Sequence, residues 1–290
     1  MGRILTVSTV YDEQQRNNDR EFRMTTADFD RISKLALQYS GIVLARHKRN
    51  MVYSRIARRV RALKLDCFSD YLNYLECNHA VEASEFINAL TTNLTSFFRE
   101  NHHFNFLKEE LFPKLAIINQ SSRKLRIWSA GCSIGQEAYS IAMMLKESVF
   151  PLSWDVKILA TDLDSNVIEA GRDAVYPSEH IDGIDSEIVK KYFNRSNDGQ
   201  SVQVKDALRK MVFFKRLNLL EEWPMTGPFD VIFCRNVVIY FNKETQNILF
   251  DRYADMLPIG GHLIIGHSEN INGVTDRFEN LGNTIYRKKR

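Results

Sequence analysis

Through the first third of the chain the apolar residues recur at helical spacing. Phe29, Ile32, Leu35, Ala36 and Tyr39 make one stripe, opened by the capping pattern Thr25-x-x-Asp28 and closed by Gly41. Val52, Ile56, Val60 and Leu63 predict a second helix over about 48–64. Phe68, Tyr71, Leu72 and Leu75 predict a third, and Phe86, Ile87 and Leu90 a fourth. The spacing therefore predicts a small all-α domain over 25–92, after a polar, mobile tail over 1–24. Phe104, Leu107, Leu111 and Leu115 then predict a bridging helix within a linker over 93–120.

From Leu125 the pattern changes to short apolar runs separated by amphipathic helices, the mark of an α/β domain over 121–290. Leu125, Ile127 and Trp128 lead into a small-residue loop from Ser129 to Gly135. A helix follows, with Ala138, Ile141, Ala142 and Leu145 on one face. Val156, Ile158, Leu159 and Ala160 form the next strand and end at Asp162. Strand, glycine loop, helix and an acid at the second strand end suit a nucleoside-bearing ligand, the acid accepting from ribose hydroxyls. An ordinary turn with a capping aspartate is the plainer alternative. The turn Asn197-Asp198-Gly199-Gln200, the alternation at Val202 and Val204, and the run Met211 to Phe214 predict a small antiparallel β insertion over about 192–217. It is either ornamental or a partner contact. The sheet is expected to resume with Phe229 to Cys234 and continue through Arg235 to Phe241. A helix over about 243–256, a strand at His262 to Gly266 and a last antiparallel strand near Asn283 to Arg287 complete the pattern.

At 290 residues and 44% hydrophobic content the chain has room for a substantial core. Cys67, Cys77, Cys132 and Cys234 show no paired spacing, so reduced thiols and a cytoplasmic location are expected. No run of the sequence is apolar for the length of a membrane span. The short matches to a myristoylation pattern at Gly2 and a glycosylation acceptor at Asn93 stand alone and carry no weight. A net charge of +3 says little, but eight Lys or Arg and no acid lie between Arg46 and Lys64. That stretch is either a solvated helix face or a dock for an acidic partner, with Arg55, Arg58, Arg59 and Arg61 the candidates.

Several chemistries are excluded by their residues. Gly266-His267-Ser268-Glu269-Asn270 lacks the last glycine of a nucleophile elbow, and no histidine follows Ser268 to complete a triad. His102 and His103 lack the spacing of helical metal ligands, so no metal is expected. No phosphate loop occurs. A nicotinamide site is the structural rival, but Gly131-x-x-x-Gly135 is not G-x-G-x-x-G, and Glu137 sits poorly beside a pyrophosphate. An adenosine ligand without phosphates, S-adenosylmethionine, suits the loop better.

The segments NALTTNLTSFFRE (88–100), WSAGCSIGQEAYSIAM (128–143), FDVIFCRNVVIYF (229–241) and GHSEN (266–270) resemble the CheR-type methyltransferases, which methylate glutamates of bacterial chemotaxis receptors. The resemblance spans about 25–288. It implies a Rossmann-like class I S-adenosylmethionine-dependent domain with a small β insertion, preceded by a small all-α domain. It further implies that Asn93, Thr95 and Arg99 contact the methionine end of the cofactor, with Arg99 on its carboxylate. Gly131 and Glu137 lie at the glycine loop, Glu137 binding the amino group or the ribose. Asp162 takes the ribose, Asn218 and Leu219 the adenine, and Arg235 and Asn236 the floor beside the sulfonium. Tyr240 stands at the methyl-transfer site and shares the catalytic role with Arg99. S-adenosylhomocysteine is then the product. The partners are the cytoplasmic helical region of membrane-bound receptors, to which the protein is recruited, and a receptor C-terminal tail at the β insertion. Neither nucleic acid nor membrane insertion is expected. The loop reads Gly-Gln-Glu where the family more often has Gly-Glu-Glu, and the turn of the insertion is short. A methyltransferase acting on nucleic acid and a non-enzymatic cofactor sensor are the alternatives. The Asn/Asp-Pro-Pro-aromatic element of base-amine methylation is absent.

Overall fold

The computed structural model describes residues 20–151, 153–271 and 273–290. The chain divides into two compact units, one ending at Thr91 and the other beginning at Thr92.

Helical periodicity gives the first unit its four helices: α1 (Thr26–Ser40), α2 (Arg49–Ala62), α3 (Phe68–Cys77) and α4 (His79–Leu90). Thr25 and Asp28 form the reciprocal capping box, and Gly41 ends α1 at φ +69°. Phe29, Ile32, Val52, Ile56, Val60, Phe68, Tyr71, Leu72, Leu75 and Phe86 fill the core. Of the expected tail, residues 1–19 lie outside the described residues. Residues 20–24 are packed rather than loose: Met24 is fully buried, and Arg20 lies over the Tyr53 ring at 4.3 Å.

In the second unit, α5 (His102–Phe106) and α6 (Phe112–Ile118) are joined by a π-helical turn, Leu107–Leu111. The α/β part comprises β1 (Lys124–Ala130), α7 (Gln136–Lys146), β2 (Asp155–Asp162), α8 (Ser165–Asp173), β3 (Val175–Pro177), α9 (Ser186–Tyr192), β4 (Phe193–Arg195) and β5 (Ser201–Val204). It continues with α10 (Asp206–Arg209), β6 (Val212–Arg216), β7 (Val231–Cys234), α11 (Lys243–Met256), β8 (His262–Ile265), β9 (Phe278–Gly282) and β10 (Ile285–Lys288). The main sheet has the order β6-β2-β1-β7-β8-β10-β9. The first five strands pair in parallel, and β10 and β9 are antiparallel. The two faces of β1 show why a near-continuous apolar strand is needed here. Leu125 and Ile127 pack with Ala138, Ile141 and Leu145 of α7, while Trp128 and Ala130 pack with Phe250 and Tyr253 of α11.

Two sequence expectations change. Val212–Arg216 is not part of the insertion but the edge strand of the main sheet, parallel to β2. The small antiparallel sheet is β3-β5-β4, so it recruits Val175–Pro177 from before the expected start at 192. The run after Cys234 is not strand: Arg235 to Val237 form a loop, and Val238–Tyr240 a single 3-10 turn. Among the described residues no helix is long and apolar enough to cross a membrane.

Candidate functional site

The crevice at the C-terminal ends of the parallel strands is where a sheet of this order exposes backbone to a ligand. β1 is followed directly by Gly131 at φ +87°, and a Cβ there would lie 2.3 Å from Val237 Cγ2. The glycine is thus required twice, by conformation and by space. Gly131→Ala should cost about 1–3 kcal/mol of stability and weaken S-adenosylmethionine binding. Denaturant unfolding and a cofactor titration read the two effects separately.

The loop's amides are already engaged. Gly131 and Cys132 donate to the Thr161 carbonyl at 2.7 and 2.9 Å, and Ser133 N donates to Asp162 Oδ2 at 2.8 Å. Gly135 N donates to the Cys132 carbonyl at 3.0 Å. A pyrophosphate would need those donors free. What lies beside the loop is carboxylate: Asp162 at the end of β2, and Glu137, which is buried in the first turn of α7 and spent on Ser129 and Arg235. The Asp162 carboxylate, an acceptor, suits the ribose hydroxyls of a nucleoside ligand such as S-adenosylmethionine. Burial pushes the Asp162 carboxyl up, against the Asp164 and Ser133 amides that hold its charge. Asn93 closes over the loop: its Nδ2 donates to Asp164 Oδ2 at 2.7 Å, and its carbonyl accepts from Ser133 Oγ at 2.9 Å. Leu217 N donates to the Asp162 carbonyl at 2.9 Å, which brings Asn218 and Leu219 beside the same acid. Asn218 forms a local turn, with its Oδ1 accepting from Leu220 N at 3.1 Å. Leu219 is buried and Thr95 half-buried.

Arg235 is engaged by protein partners. Its Nη1 donates to Glu137 Oε2 at 3.1 Å, and its Nη2 lies 3.2 Å from Glu100 Oε2 and also donates to the Arg99 carbonyl. It is 6% exposed. Arg235 therefore braces the segment carrying Arg99, and its guanidinium is occupied by protein acceptors. Glu137 is committed in the same way, since its Oε1 accepts from Ser129 Oγ at 2.7 Å. Burial raises the Glu137 carboxyl even against Arg235 and Ser129. Glu100 is opposite in sign. Burial raises it, but the His267 hydrogen bond and the Arg235 charge outweigh burial and hold it at about 2. His103, buried and facing Arg235, is pushed down to about 4. Phe98 and Glu100, on either side of Arg99, sit at φ +53° and +57°. Left-handed backbone at non-glycine residues persists only where the surroundings impose it, and here it aims one arginine. Arg99 Nη1 donates to the Leu94 carbonyl at 2.9 Å.

Tyr240 ends the 3-10 turn, and the turn hangs on a residue for which the sequence predicts no role. Glu269 is 5% exposed. Its Oε2 accepts from Gly266 N at 2.6 Å and Asn236 N at 2.9 Å. Its Oε1 accepts from Val237 N at 2.9 Å and Ile239 N at 3.4 Å. Asn236 is thereby held at φ +60°. Burial still raises the Glu269 carboxyl. Glu269 stands within the GHSEN segment, as Glu100 and Ser129 stand within the segments 88–100 and 128–143, and that membership is their only sequence signal.

The four candidate docking arginines lie in the helical unit, and three have structural partners there. Arg55 Nη1 donates to the Leu90 and Thr91 carbonyls at 2.5 and 2.7 Å, closing the end of α4. Arg59 forms a two-pronged pair with buried Glu82 at 2.9 and 2.7 Å. Arg61 pairs with Glu21 at 2.5 Å on the surface. Arg58 is exposed and has no ion-pair partner among the described residues.

Two family models cover nearly all of the described chain: "CheR methyltransferase, all-alpha domain" over residues 27–91, and "CheR methyltransferase, SAM binding domain" over 93–287. The chain is 43% identical over 267 residues to the chemotaxis protein methyltransferase of Escherichia coli, covering 91% of each chain. It is 41% identical to chemotaxis protein methyltransferase 2 of Pseudomonas aeruginosa, covering 92% of this chain and 95% of that one. With the chemotaxis protein methyltransferase of Borreliella burgdorferi it shares 40% identity, over 86% of this chain and 90% of the other.

Proposed function

Because this chain belongs to the CheR methyltransferase family, we propose that it converts glutamate side chains of chemotaxis receptors to methyl esters. It is an S-adenosylmethionine-dependent methyltransferase. The observation that carries the cofactor reading is the glycine loop whose amides are spent internally while the Asp162 carboxylate lies beside it. The relatives' activity on chemotaxis proteins supports the acceptor.

Bound S-adenosylmethionine supplies an electrophilic sulfonium methyl. The chain's residues divide the remaining work. Arg99 is assigned the carboxylate, with Asn93 and Thr95 beside it, and Arg235 keeps Arg99 in place. Asp162 is assigned the ribose hydroxyls, and Asn218 and Leu219 the adenine. Asn236 and Tyr240 are assigned the reacting end, where Tyr240 orients the acceptor. A glutamate acceptor, with an ordinary pKa of about 4.3, is already ionised near neutrality and asks no base of the protein. Alignment and exclusion of water are then the enzyme's contribution, worth about 7–11 kcal/mol in favourable intramolecular cases.

The receptor's cytoplasmic helices are acidic at the modified sites, so a basic surface suits them. The protein itself acts from the cytoplasm. The docking assignment narrows to the exposed Arg58, with Arg61 beside it, because Arg55 and Arg59 hold the helical unit together. Arg58→Glu should lower receptor methylation roughly three- to tenfold and leave cofactor affinity unchanged; equal methylation by the variant removes the dock. A receptor C-terminal tail is assigned to the small sheet, whose outer strands β3 and β4 offer backbone edges.

The direct test incubates the protein with tritiated S-adenosylmethionine and membranes bearing the chemoreceptors of the same organism. Alkali-labile, volatile methanol from the receptor band is the expected result. Arg99→Ala should cut it by roughly tenfold or more, the worth of a charged hydrogen bond. Cofactor binding with no receptor label would sink the acceptor assignment and leave the methyltransferase fold standing.

A further inference from the structure

We propose that Glu100, His102 and His103 form a binding site for a divalent transition-metal ion of the zinc class, adjoining the arginine that braces Arg99. The inference stands independently of the methyl-acceptor reading.

It begins from two acceptors that face each other. The His103 ring is fully buried, and its Nε2 lies 2.8 Å from the Asn283 carbonyl oxygen. A carbonyl only accepts, so Nε2 carries the proton. Thr284 Oγ1, 3.1 Å from the same nitrogen, has carbonyl acceptors for its own hydrogen in Ile265 at 2.8 Å and Asn283 at 2.7 Å, so it accepts from Nε2. The lone pair is therefore on Nδ1, which is buried and has no hydrogen-bond partner among the described residues. It faces Glu100 Oε2 at 3.6 Å. That separation is too long for a charged hydrogen bond, which closes to about 2.7–2.9 Å. It matches the edge of a coordination tetrahedron, about 3.4 Å for ligands some 2.1 Å from a zinc ion.

His102 supplies the third donor. Its ring centroid lies 4.1 Å from that of His103, and one ligand atom from each of the three residues falls within 4.8 Å of the others. His102 is exposed, so the site opens to solvent and leaves a position for water. Two imidazoles and one carboxylate favour zinc or its neighbours over calcium or magnesium. The donors are also oriented from behind, as metal ligands are. The Asn283 carbonyl fixes the His103 tautomer, while His267 holds Glu100 through its backbone N–H at 3.2 Å and its Nδ1 at 2.8 Å. Adjacent histidines lack the spacing of helical ligands, and on that ground the sequence predicts no metal. The left-handed turn at Glu100, φ +57°, supplies the donor that spacing does not reveal.

The electrostatics permit a further cation. Arg235 is one fixed positive charge facing two carboxylates, Glu100 and Glu137. An ion on Glu100 competes with Arg235 for the same oxygen, so occupancy loosens the brace under Arg99. The site is thereby coupled to cofactor affinity.

The test titrates Co2+ into the full-length, reduced protein and follows its absorption. One equivalent is expected, with visible d–d bands, no near-ultraviolet thiolate charge-transfer band, and displacement by Zn2+. His102→Asn should weaken Co2+ binding roughly tenfold or more with the unfolding temperature and the methyl transfer of chelator-treated protein unchanged. His103→Gln should lose the spectrum; if it fails to fold, the exposed His102 still decides the question. Unsaturable uptake, a thiolate spectrum, or a His102→Asn variant that binds like the parent each overturns the site. No methyl transfer enters the Co2+ measurement, so its failure leaves the proposed acceptor untouched.

Discussion

Arg235→Leu is expected to lower stability by about 3–5 kcal/mol and cofactor affinity roughly a hundredfold, the equivalent of near 3 kcal/mol. The cost comes less from lost attraction than from what is left behind. Glu137 would remain buried with Ser129 as its one remaining hydrogen-bond partner among the described residues. Arg99 would lose the donor on its carbonyl, and with it the brace for a backbone turned left-handed on both sides. The pH dependence gives the prediction a sign. Burial already raises the Glu137 carboxyl above its ordinary value, and Arg235 opposes that rise. Without Arg235 the folded protein binds more protons at this site than the unfolded chain. Stability then falls as pH rises above the unfolded value, and acid partly rescues the variant. Melting curves between about pH 5 and 8 should show the variant losing ground relative to the parent as pH increases. Adding Glu137→Gln removes the stranded charge and should restore much of the loss. If the double variant is no more stable than Arg235→Leu, Glu137 is not the source of the damage.

This network also marks where the sequence stops being legible. The helical stripes, the capping box at Thr25, the β1–loop–α7 unit and the acid ending β2 are local patterns, and their physics is contained within a few residues. The motif segments bring Asn93, Arg99, Glu137 and Arg235 into view as candidates. The direction in which each side chain spends its charge depends on partners up to 136 residues away, as for Arg235 and the Arg99 carbonyl. The same limit explains the docking arginines. A run of cations without an acid looks like one surface, yet Glu82 reaches Arg59 from α4, and Arg55 turns to carbonyls at the end of that helix. Val212–Arg216 has the composition of a hairpin strand, and only the pairing with β2 places it in the main sheet. Val237 to Phe241 is apolar and β-branched enough to extend β7. The buried carboxylate of Glu269 captures the amides of Val237 and Ile239, with that of Asn236 just before them, and bends the run into a turn.

That carboxylate yields the second large effect. Glu269→Ala should reduce stability by about 3 kcal/mol or more, because the buried amide of Gly266 and the half-buried amides of Asn236 and Val237 lose their acceptor together. Methyl transfer should fall roughly a hundredfold, mostly in kcat, since a turn released by about 1 Å misplaces Tyr240 rather than the loop at Gly131. Glutamine is no remedy. One oxygen would become an NH2 group pointing at backbone donors, so Glu269→Gln should resemble the alanine variant more than the parent. A double-mutant cycle with Tyr240→Phe separates positioning from plain instability. If Glu269 works through Tyr240, removing the hydroxyl from the Glu269→Ala background should change kcat little, although Tyr240→Phe alone lowers it clearly. Additive losses would mean that the turn stays in place without Glu269. The carboxylate would then be a structural anchor of Gly266 alone, and the alignment of Tyr240 would have to come from the 3-10 turn itself.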